Sequence, residues 1–329
     1  MSVDTIGSGG DTPTVITWAG GIPGTLLENE EGRVLNQEVN NTSDSVDLSG
    51  VTTGAFSITL TANPGASFVD VLNPATTAVR YYAGTQGAAV LMSSSCQELK
   101  FGAATTVSKL MFKKTSGYGV ILYSTNDAFT ANQLIMYSTD GNYMMRGPGT
   151  FQRLIAYADV NIQFYQGNLA TFRNWSYYRF GGGSTIGLES QYSGAKSING
   201  AVAGCGANGY EGTSSATSLN NATDQGSFGG IGFDGGTPQT SLVAATEWTN
   251  VASAAAADFR IASGSAKLKA NGTTGGSAPA TDIFGVSWNA GTPDIGAIKF
   301  AGAAPSNDWV PNPYWQQTPG MRPRGHVGY

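Results

Sequence analysis

Pairs of carboxylates in the middle of the chain are its first candidates for catalysis. Glycoside hydrolases need two such groups about 5 to 10 Å apart, and residues one repeat apart on neighbouring β-strands meet that distance. Three pairs have a fitting separation, at 19, 22 and 23 residues: Asp140 with Asp159, Glu189 with Glu211, and Asp224 with Glu247. Any fold with scattered acids offers such pairs, so solvated turn residues are the alternative interpretation.

Other catalytic and metal-binding centres lack the residues they require. His326 is the one histidine and lies in a proline-rich tail, so the body of the chain predicts no Ser-His-Asp or Cys-His centre. Cys96 and Cys205 are 109 residues apart without metal or redox spacing, and we expect two free, buried thiols. The acids form no calcium-binding run. The sequence therefore predicts no catalytic residue, no cofactor and no metal.

The segment from residue 137 to 180 is unusually rich in tyrosine and arginine. Part of it must form core stacking, but both residue types are enriched at binding hot spots, and aromatic rings also stack on sugar rings. Core, subunit interface and glycan-binding face stay open as alternatives. The candidates for an interface or a glycan face are Tyr143, Arg146, Arg153, Arg173, Trp175, Tyr177, Tyr178 and Arg179.

Residues 303–329 combine five prolines with several large aromatic side chains. Extended arms of this kind lie across neighbouring subunits, and large aromatic side chains stabilise a protein mainly when they are buried. The pattern predicts a docking arm, with a loose tail as the alternative. The candidate contact residues of the arm are Trp309, Tyr314, Trp315 and Tyr329.

Low charge and high glycine content narrow the class of protein. Charged residues make up 12% of the chain, aromatic residues 10%, and 46 residues are glycine without a three-residue period, which excludes disordered and collagen-like chains. A net charge of −5 favours no nucleic-acid partner. No apolar run is long enough to span a membrane, and the N-terminus lacks the features of a secretory signal. We therefore expect synthesis in a cytoplasm and no membrane partner.

Short β-type runs follow one another from about residue 55 to residue 260, broken by Gly, Asn, Ser and Asp. A β-sandwich or barrel gives such spacing too. Several runs, such as Gln133–Ser138, carry small polar residues beside an apolar triplet, which favours short strands stacked as a parallel β-helix. Such a solenoid has about 20 to 25 residues per turn, so the segment would make roughly eight to ten turns.

Two C-terminal stretches resemble the closing motifs of right-handed parallel β-helix proteins. DFRIASGSAKLKANG (Asp258–Gly272) is similar to their DFRL-x-x-GSPAIDAG signature. DIFGVSWNAGTPDIGAIKF (Asp282–Phe300) is similar to the segment ending in DIGAYE that follows it. Ala266 replaces a proline and Lys299 a terminal acid, departures that leave the fold inference intact. The resemblance implies an all-β, single-stranded, right-handed parallel β-helix.

The N-terminus adds to this resemblance. Asp4–Leu26 is similar to the TIGTGGDY-x-T start of β-helix proteins common in bacteriophage genomes. This resemblance implies a non-enzymatic virion protein on the particle exterior, such as a capsid decoration protein, head fibre or tail fibre component. It also implies a homotrimer that contacts other virion proteins. A tailspike-type protein that binds or depolymerises host-surface glycan is the alternative, and a bacterial surface-associated β-helix is a third hypothesis.

These features divide the chain into four segments. Residues 1–54 are acidic and predict an N-terminal cap that includes Trp18, with a helical turn or two in Leu27–Val39. Residues 55–257 predict the β-helix. Residues 258–302 predict a segment that closes the solenoid, and residues 303–329 the docking arm. The expected location is the virion, after assembly in a host cytoplasm.

Overall fold

A computed structural model describes most of the chain, which is nearly all β. The described residues are 1–41, 45–93, 98–102, 104–116, 119–140, 143–159, 163–181, 186–190, 195–206, 208–214, 218–288 and 292–300. Cys96, His326 and the predicted docking arm lie outside them. The strands are β1 (Ser2–Ile6), β2 (Glu30–Val34), β3 (Glu38–Asn41), β4 (Val46–Leu48), β5 (Ile58–Ala62), β6 (Ala89–Met92), β7 (Leu99–Phe101), β8 (Thr105–Lys114), β9 (Val120–Ser124), β10 (Thr130–Ser138), β11 (Tyr143–Ala158), β12 (Gln163–Arg179), β13 (Ile186–Ser190), β14 (Lys196–Ala203), β15 (Asn208–Gly212), β16 (Ala222–Thr223), β17 (Trp248–Asn250) and β18 (Asp258–Ile261).

Helical structure in the described part of the chain is confined to short elements. They are α1 (Val15–Gly21), α2 (Phe68–Val71), α3 (Ala244–Glu247) and a 3₁₀ turn (Ala254–Ala256). The hydroxyl of Thr14 caps α1 by accepting the N–H of Thr17 at 3.1 Å. None of these helices has the length and apolar character needed to cross a membrane.

Parallel pairing between successive turns builds the solenoid that the sequence predicts. Thr106 of β8 pairs with Thr130 of β10, which pairs with Thr150 of β11. Thr150 pairs with Thr171 of β12, and Thr171 with Lys196 of β14. These steps of 24, 20, 21 and 25 residues fall within the predicted turn length. The chain completes about 8 turns, and the parallel β-helix prediction is confirmed over the sandwich and barrel alternatives.

Parallel pairing begins before residue 55. Strand β1 pairs with β2, and β2 pairs with β5, so these strands belong to the same sheet as the later turns. The helical turn predicted over Leu27–Val39 is therefore wrong. Val34 is buried, whereas Glu31 and Arg33 are half-buried and pair with each other at 2.9 Å. This two-residue alternation fits a sheet with one covered face, which outweighs the helix propensity of glutamate and arginine.

The interior of the solenoid is a stack of apolar side chains from neighbouring turns. In one column Leu60, Val107, Ala131, Phe151 and Phe172 follow one another in register, and all are buried. The rings of Phe151 and Phe172 stack with their centroids 4.8 Å apart. Burial of each large apolar side chain contributes about 1.5–3 kcal/mol. The stack therefore stabilises each turn against the next.

One corner of the solenoid is formed by single residues in the left-handed conformation. Gln133, Arg153, Asn174, Asn199 and Asn220 have φ angles from 48° to 56°. The first four lie in successive turns, each between two residues that are in register with the neighbouring turn. Asn220 follows Leu219, which bridges to Ile198 of β14. Asparagine adopts this conformation more readily than most residues. Each corner therefore bends its strand at one residue, and pairing continues on both sides.

Residues 271–283, which we name the C-terminal strap, run back along this corner from late turns to early turns. Every corner residue named above donates a side-chain hydrogen bond to the strap. The donor–acceptor pairs are Asn220 Nδ2 to Asn271 O (2.8 Å), Asn199 Nδ2 to Thr273 O (2.8 Å), Asn174 Nδ2 to Pro279 O (3.4 Å), Arg153 Nη1 to Thr281 Oγ1 (2.7 Å) and Gln133 Nε2 to Ile283 O (2.8 Å). One segment thus fastens five consecutive turns.

Two aspartates of the second C-terminal motif fix turns in and beside the strap. Asp282 accepts the backbone N–H groups of Phe284 and Val286, both at 2.9 Å. Asp294 accepts the N–H of Ala270 at 2.7 Å. Both carboxylates are buried. The two carboxylates therefore accept backbone N–H groups of loops that have no neighbouring strand to bond with.

The apolar residues of the C-terminal segment pack against the side of the solenoid. The ring of Phe259 lies 5.1 Å from that of Tyr157, which belongs to β11 in the middle of the sheet. Helix α1, with buried Trp18, contacts β1, β3 and β4 at the first turns. At the last turns Phe233 packs on Tyr210, with 5.1 Å between ring centroids. The closing role of residues 258–302 at a solenoid end stays a prediction, as do the segment boundaries.

The buried carboxylate of Asp282 gives the strap a pH dependence. Burial raises the pKa of Asp282 to about 6, against about 3.9 in an unfolded chain. The folded protein binds this proton more tightly than the unfolded chain, so the contribution of Asp282 to the free energy of unfolding falls as pH rises from about 4 to about 6 and is constant above that. We expect wild type to lose stability relative to Asp282→Asn over this window, measured as the difference in melting temperature. If the melting temperature of wild type minus that of Asp282→Asn stayed constant or increased as pH rises through this window, the assignment would be wrong.

Candidate functional site

Register places seven positions in one column along a side of the solenoid, which we name the charged column. The register pairs are Asp47–Lys100, Lys100–Tyr123, Tyr123–Arg146, Arg146–Tyr165, Tyr165–Glu189 and Glu189–Glu211. Neighbouring strands lie about 4.8 Å apart, so the column is about 29 Å long. The strand residues preceding Lys100, Tyr123 and Glu189 are buried leucines. The alternation thus directs Lys100, Tyr123 and Glu189 outward.

Cations and aromatic rings alternate in the first half of the charged column. Lys100 Nζ pairs with Asp47 Oδ2 at 2.9 Å and lies 5.9 Å from the ring centroid of Tyr123. The hydrogen bond to Asp47 raises the pKa of Lys100. Arg146 is exposed, and its guanidinium lies 5.4 Å from the Tyr123 ring and 6.0 Å from the Tyr143 ring. These cation–π contacts hold the cations against the tyrosine rings.

The last two positions of the charged column are carboxylates in register. Glu189 of β13 pairs with Glu211 of β15, and both are half-buried. The pair that the 22-residue spacing predicts is therefore brought together at the strand spacing of about 4.8 Å. Asn208 Nδ2 donates to Glu211 Oε2 at 3.3 Å. At this backbone spacing two carboxyl groups can reach the separation of about 5 Å that retaining glycosidases use.

Asp140 and Asp159, the first predicted pair, are both exposed at the end of neighbouring strands. Asp159 accepts the hydroxyl of Tyr137 at 2.5 Å. This bond and burial of the ring raise the pKa of Tyr137. The pair therefore occupies a solvated edge beside a tyrosine, which is the turn-acid interpretation that the sequence left open.

Both carboxylates of the third predicted pair, Asp224 and Glu247, accept hydrogen bonds from backbone N–H groups. Asp224 accepts the N–H of Gly204 at 2.7 Å, and burial raises its pKa. Glu247 is buried and accepts the N–H groups of Lys267 and Leu268, both at 3.2 Å. Glu247 thus anchors the C-terminal segment, and its carboxylate is occupied by structural hydrogen bonds.

Four of the eight predicted interface or glycan-face residues divide between surface and core. Tyr143 and Arg146 lie in or beside the charged column. Trp175 and Tyr177 are fully buried inside the solenoid, and Trp175 Nε1 donates to Ser197 Oγ at 3.0 Å. For these two aromatics the structure supports the core alternative, and no partner reaches them on the folded chain.

The other four predicted residues lie in different surroundings. Arg153 holds the strap, as described above. Tyr178 is half-buried beneath the C-terminal segment, 5.9 Å from the Trp248 ring. Arg179 is buried at the last residue of β12. Arg173 is half-buried in β12, on a different outward face of the solenoid. The eight residues therefore do not form one site.

Lys100 and Tyr123 belong to the charged column but were not predicted from the sequence. They precede Arg146 by 46 and 23 residues, which are multiples of one turn length. This regularity is a usable signal in principle. It is hidden because other turns have 20 to 25 residues and because loops separate the strands of one turn.

The described residues contain no group of three or more His, Cys, Asp or Glu side chains placed to hold a metal ion. Cys205 is buried, and burial raises the pKa of its thiol, which disfavours the reactive thiolate. No protein-family model, curated protein or solved structure matches the chain. The strap, the charged column and the outer faces of the sheet are therefore the features from which a function can be inferred.

Proposed function

We propose that the chain is a non-enzymatic structural protein on the exterior of a bacteriophage particle, as a capsid decoration protein or a head or tail fibre component. The strap carries this proposal, because a protein that persists outside a cell depends on slow unfolding. Contacts that form late in folding slow unfolding most. The strap contacts residues up to 150 positions away in the chain, so we expect its contacts to form late in folding. The resemblance of Asp4–Leu26 and Asp258–Gly272 to phage β-helix motifs supports the same assignment.

The partners in this proposal are further copies of the chain, as a homotrimer, and other virion proteins. Arginine and tyrosine are enriched at protein interfaces, and Tyr123, Tyr143 and Arg146 present both types at the surface. Assembly would take place in the host cytoplasm, and the final location would be the virion.

Immunogold electron microscopy of purified particles tests this proposal. Antibodies raised against the solenoid are expected to label the particle exterior, and deletion of residues 303–329 is expected to abolish attachment while the β circular dichroism spectrum is retained. Protein found in the lysate supernatant, with unlabelled particles, would contradict the structural role. Retained attachment of the shortened chain would remove the arm from the account.

A tailspike-type glycan hydrolase is the second candidate, and the registered pair Glu189–Glu211 is the observation that favours it. In that role one carboxyl acts as acid and base, the other as nucleophile. Tyr143 and Arg146 on the same side would hold the sugar. The structural role and this role differ in whether glycan is cleaved.

Oligosaccharide release from host capsular or lipopolysaccharide glycans separates the two roles. For the structural role we expect no release by wild type, and no change in particle attachment for Glu189→Gln, Glu211→Gln or the control Asp159→Asn. Release by wild type that falls at least about a hundredfold in both glutamine variants, as expected for loss of a catalytic acid or base, and persists in Asp159→Asn, would establish the hydrolase instead.

A further inference from the structure

A second outward face of the solenoid carries a ladder of threonines, which we name the threonine face. Thr59, Thr106, Thr130, Thr150 and Thr171 are register partners on five neighbouring strands, and all are half-buried. Four strand spacings make this ladder about 19 Å long. Because the threonine side chain is stiff at its first torsion, the ladder repeats its hydroxyl and methyl groups in a regular row.

A parallel row of uncharged polar side chains lies two residues further along the same strands. Its members are Thr61, Ser108, Asn132 and Gln152, each a register partner of the next. All are half-buried. The two rows are therefore uncharged on strands β5, β8, β10 and β11 and rich in groups that both donate and accept hydrogen bonds.

Arg173 ends the second row, next to Gln152. Its Nε is buried and has no hydrogen-bond partner among the described residues. Burial lowers the pKa of Arg173, and no carboxylate of the described chain offsets that effect. In contrast, Arg33 pairs with Glu31 at 2.9 Å, and Arg260 pairs with Asp258.

A half-buried guanidinium without a counter-ion is costly, and the cost is removed when an anion binds. Lys196 is the register partner of Thr171 and adds a second cation at the same end of the face. The protein as a whole carries a net charge of −5. A guanidinium without a counter-ion among the described residues therefore selects a carboxylate at this point of the face.

We propose that the threonine face binds an acidic polysaccharide, with a sugar carboxylate on Arg173 and sugar hydroxyls along the threonine ladder. An extended polysaccharide repeats its hydroxyl groups at intervals comparable with the strand spacing, so one chain can contact successive turns in the same way. Nucleic acid is disfavoured, because phosphate-backbone binding needs many cations, and the face offers two. This site is separate from Glu189 and Glu211 and does not depend on the proposed virion role.

Binding to immobilised polygalacturonate, alginate and hyaluronate, with methyl-esterified polygalacturonate as the uncharged control, tests the proposal. We expect wild type to bind at least one acidic polymer and not the esterified one. Arg173→Gln is expected to weaken binding at least about tenfold, since a charge-assisted hydrogen bond is lost. Arg80→Gln removes a positive charge elsewhere, from above the Tyr82 ring, and is expected to bind as wild type.

Thr130→Glu keeps the test decisive if Arg173→Gln does not fold. It places an anion in the middle of the ladder and is expected to abolish binding while the melting temperature confirms a folded chain. Three results would overturn the proposal: no binding to any acidic polymer, equal binding of the esterified control, or binding that survives both Arg173→Gln and Thr130→Glu. None of them bears on particle location, so the virion proposal is tested separately.

Discussion

Replacing Asn199 by alanine is expected to lower the free energy of unfolding by about 3–5 kcal/mol, because buried groups are left without partners at about 1–3 kcal/mol each. The Asn199 side chain donates to Asn174 Oδ1 at 2.9 Å and to Thr273 O at 2.8 Å, and it accepts the N–H of Thr273 at 2.8 Å. Alanine removes all three bonds. It also occupies a φ of +53°, which asparagine tolerates better. Urea unfolding measures the change.

Two further variants assign that loss to the strap. Asn199→Gly removes the same hydrogen bonds but accepts the positive φ without strain, so the difference between the two variants is the backbone contribution. Asn73→Ala is the matched control, because the Asn73 side chain accepts a single exposed N–H from Ala75 at 3.0 Å. We expect it to cost about 1 kcal/mol or less. A loss below that level for Asn199→Ala would contradict the fastening role of the corner.

Trp175→Ala is expected to lower the free energy of unfolding by about 3–5 kcal/mol, the range for deletion of a buried aromatic side chain. The indole is fully buried between Phe172, at 5.4 Å, and Tyr210, at 6.0 Å. Alanine leaves a cavity in the interior stack, and Ser197 loses the indole N–H as a donor. Guanidinium unfolding of the isolated protein measures the change.

The Trp175→Ala variant also tests whether this aromatic residue of the segment 137–180 belongs to the core or to an interacting surface. Arg146→Ala is the control, because Arg146 is exposed in the charged column and surface substitutions change stability by about 0.5 kcal/mol. If Trp175→Ala kept wild-type stability and instead prevented self-association, Trp175 would be an interface residue and its core assignment would be wrong.

The fold could be predicted from the sequence because each turn repeats the same physical requirement. Short apolar runs separated by polar residues, at about 20 to 25 residues per turn, favour a stacked solenoid, and the resemblance of Asp258–Gly272 and Asp282–Phe300 to β-helix motifs decided between it and a sandwich or barrel. The strand limits could not be predicted. The sequence separates two runs at Gly147–Gly149, but these residues lie within the continuous strand β11. Strands β11 and β12 bend instead at Arg153 and Asn174. A corner of one residue leaves no Gly or Pro signal.

Only part of the candidate site could be predicted from the sequence, because single-residue corners interrupt the alternation of inward and outward residues. The Glu189–Glu211 pair follows from one turn length, because residues one turn apart come into register on neighbouring strands. Inward and outward residues in β12 could not be distinguished, because the left-handed Asn174 interrupts the two-residue alternation. Tyr177 is consequently buried and its neighbour Tyr178 half-buried, although both belong to the same tyrosine-rich run.

The strap depends on contacts between residues that are far apart in the chain. Gln133 and Ile283 are 150 residues apart, and Arg153 and Thr281 are 128 apart. A carbonyl group accepts from any suitable donor, so strap residues carry no side-chain signature of these bonds. Asp282 and Asp294 belong to a motif that could be identified in the sequence. Their role as acceptors of backbone hydrogen bonds could be identified only from the three-dimensional structure.

Native-state hydrogen exchange of the strap amides is the measurement that tests the central claim most directly. If the strap fastens the solenoid, the amides of Gly272, Thr273 and Ile283, which donate to Pro293 O, Asn199 Oδ1 and Ala297 O, are expected to exchange only with global unfolding, as the core strands do. Exchange at the rate of exposed loops would show that the strap opens freely. That result would contradict its fastening role and remove the main support for a particle protein.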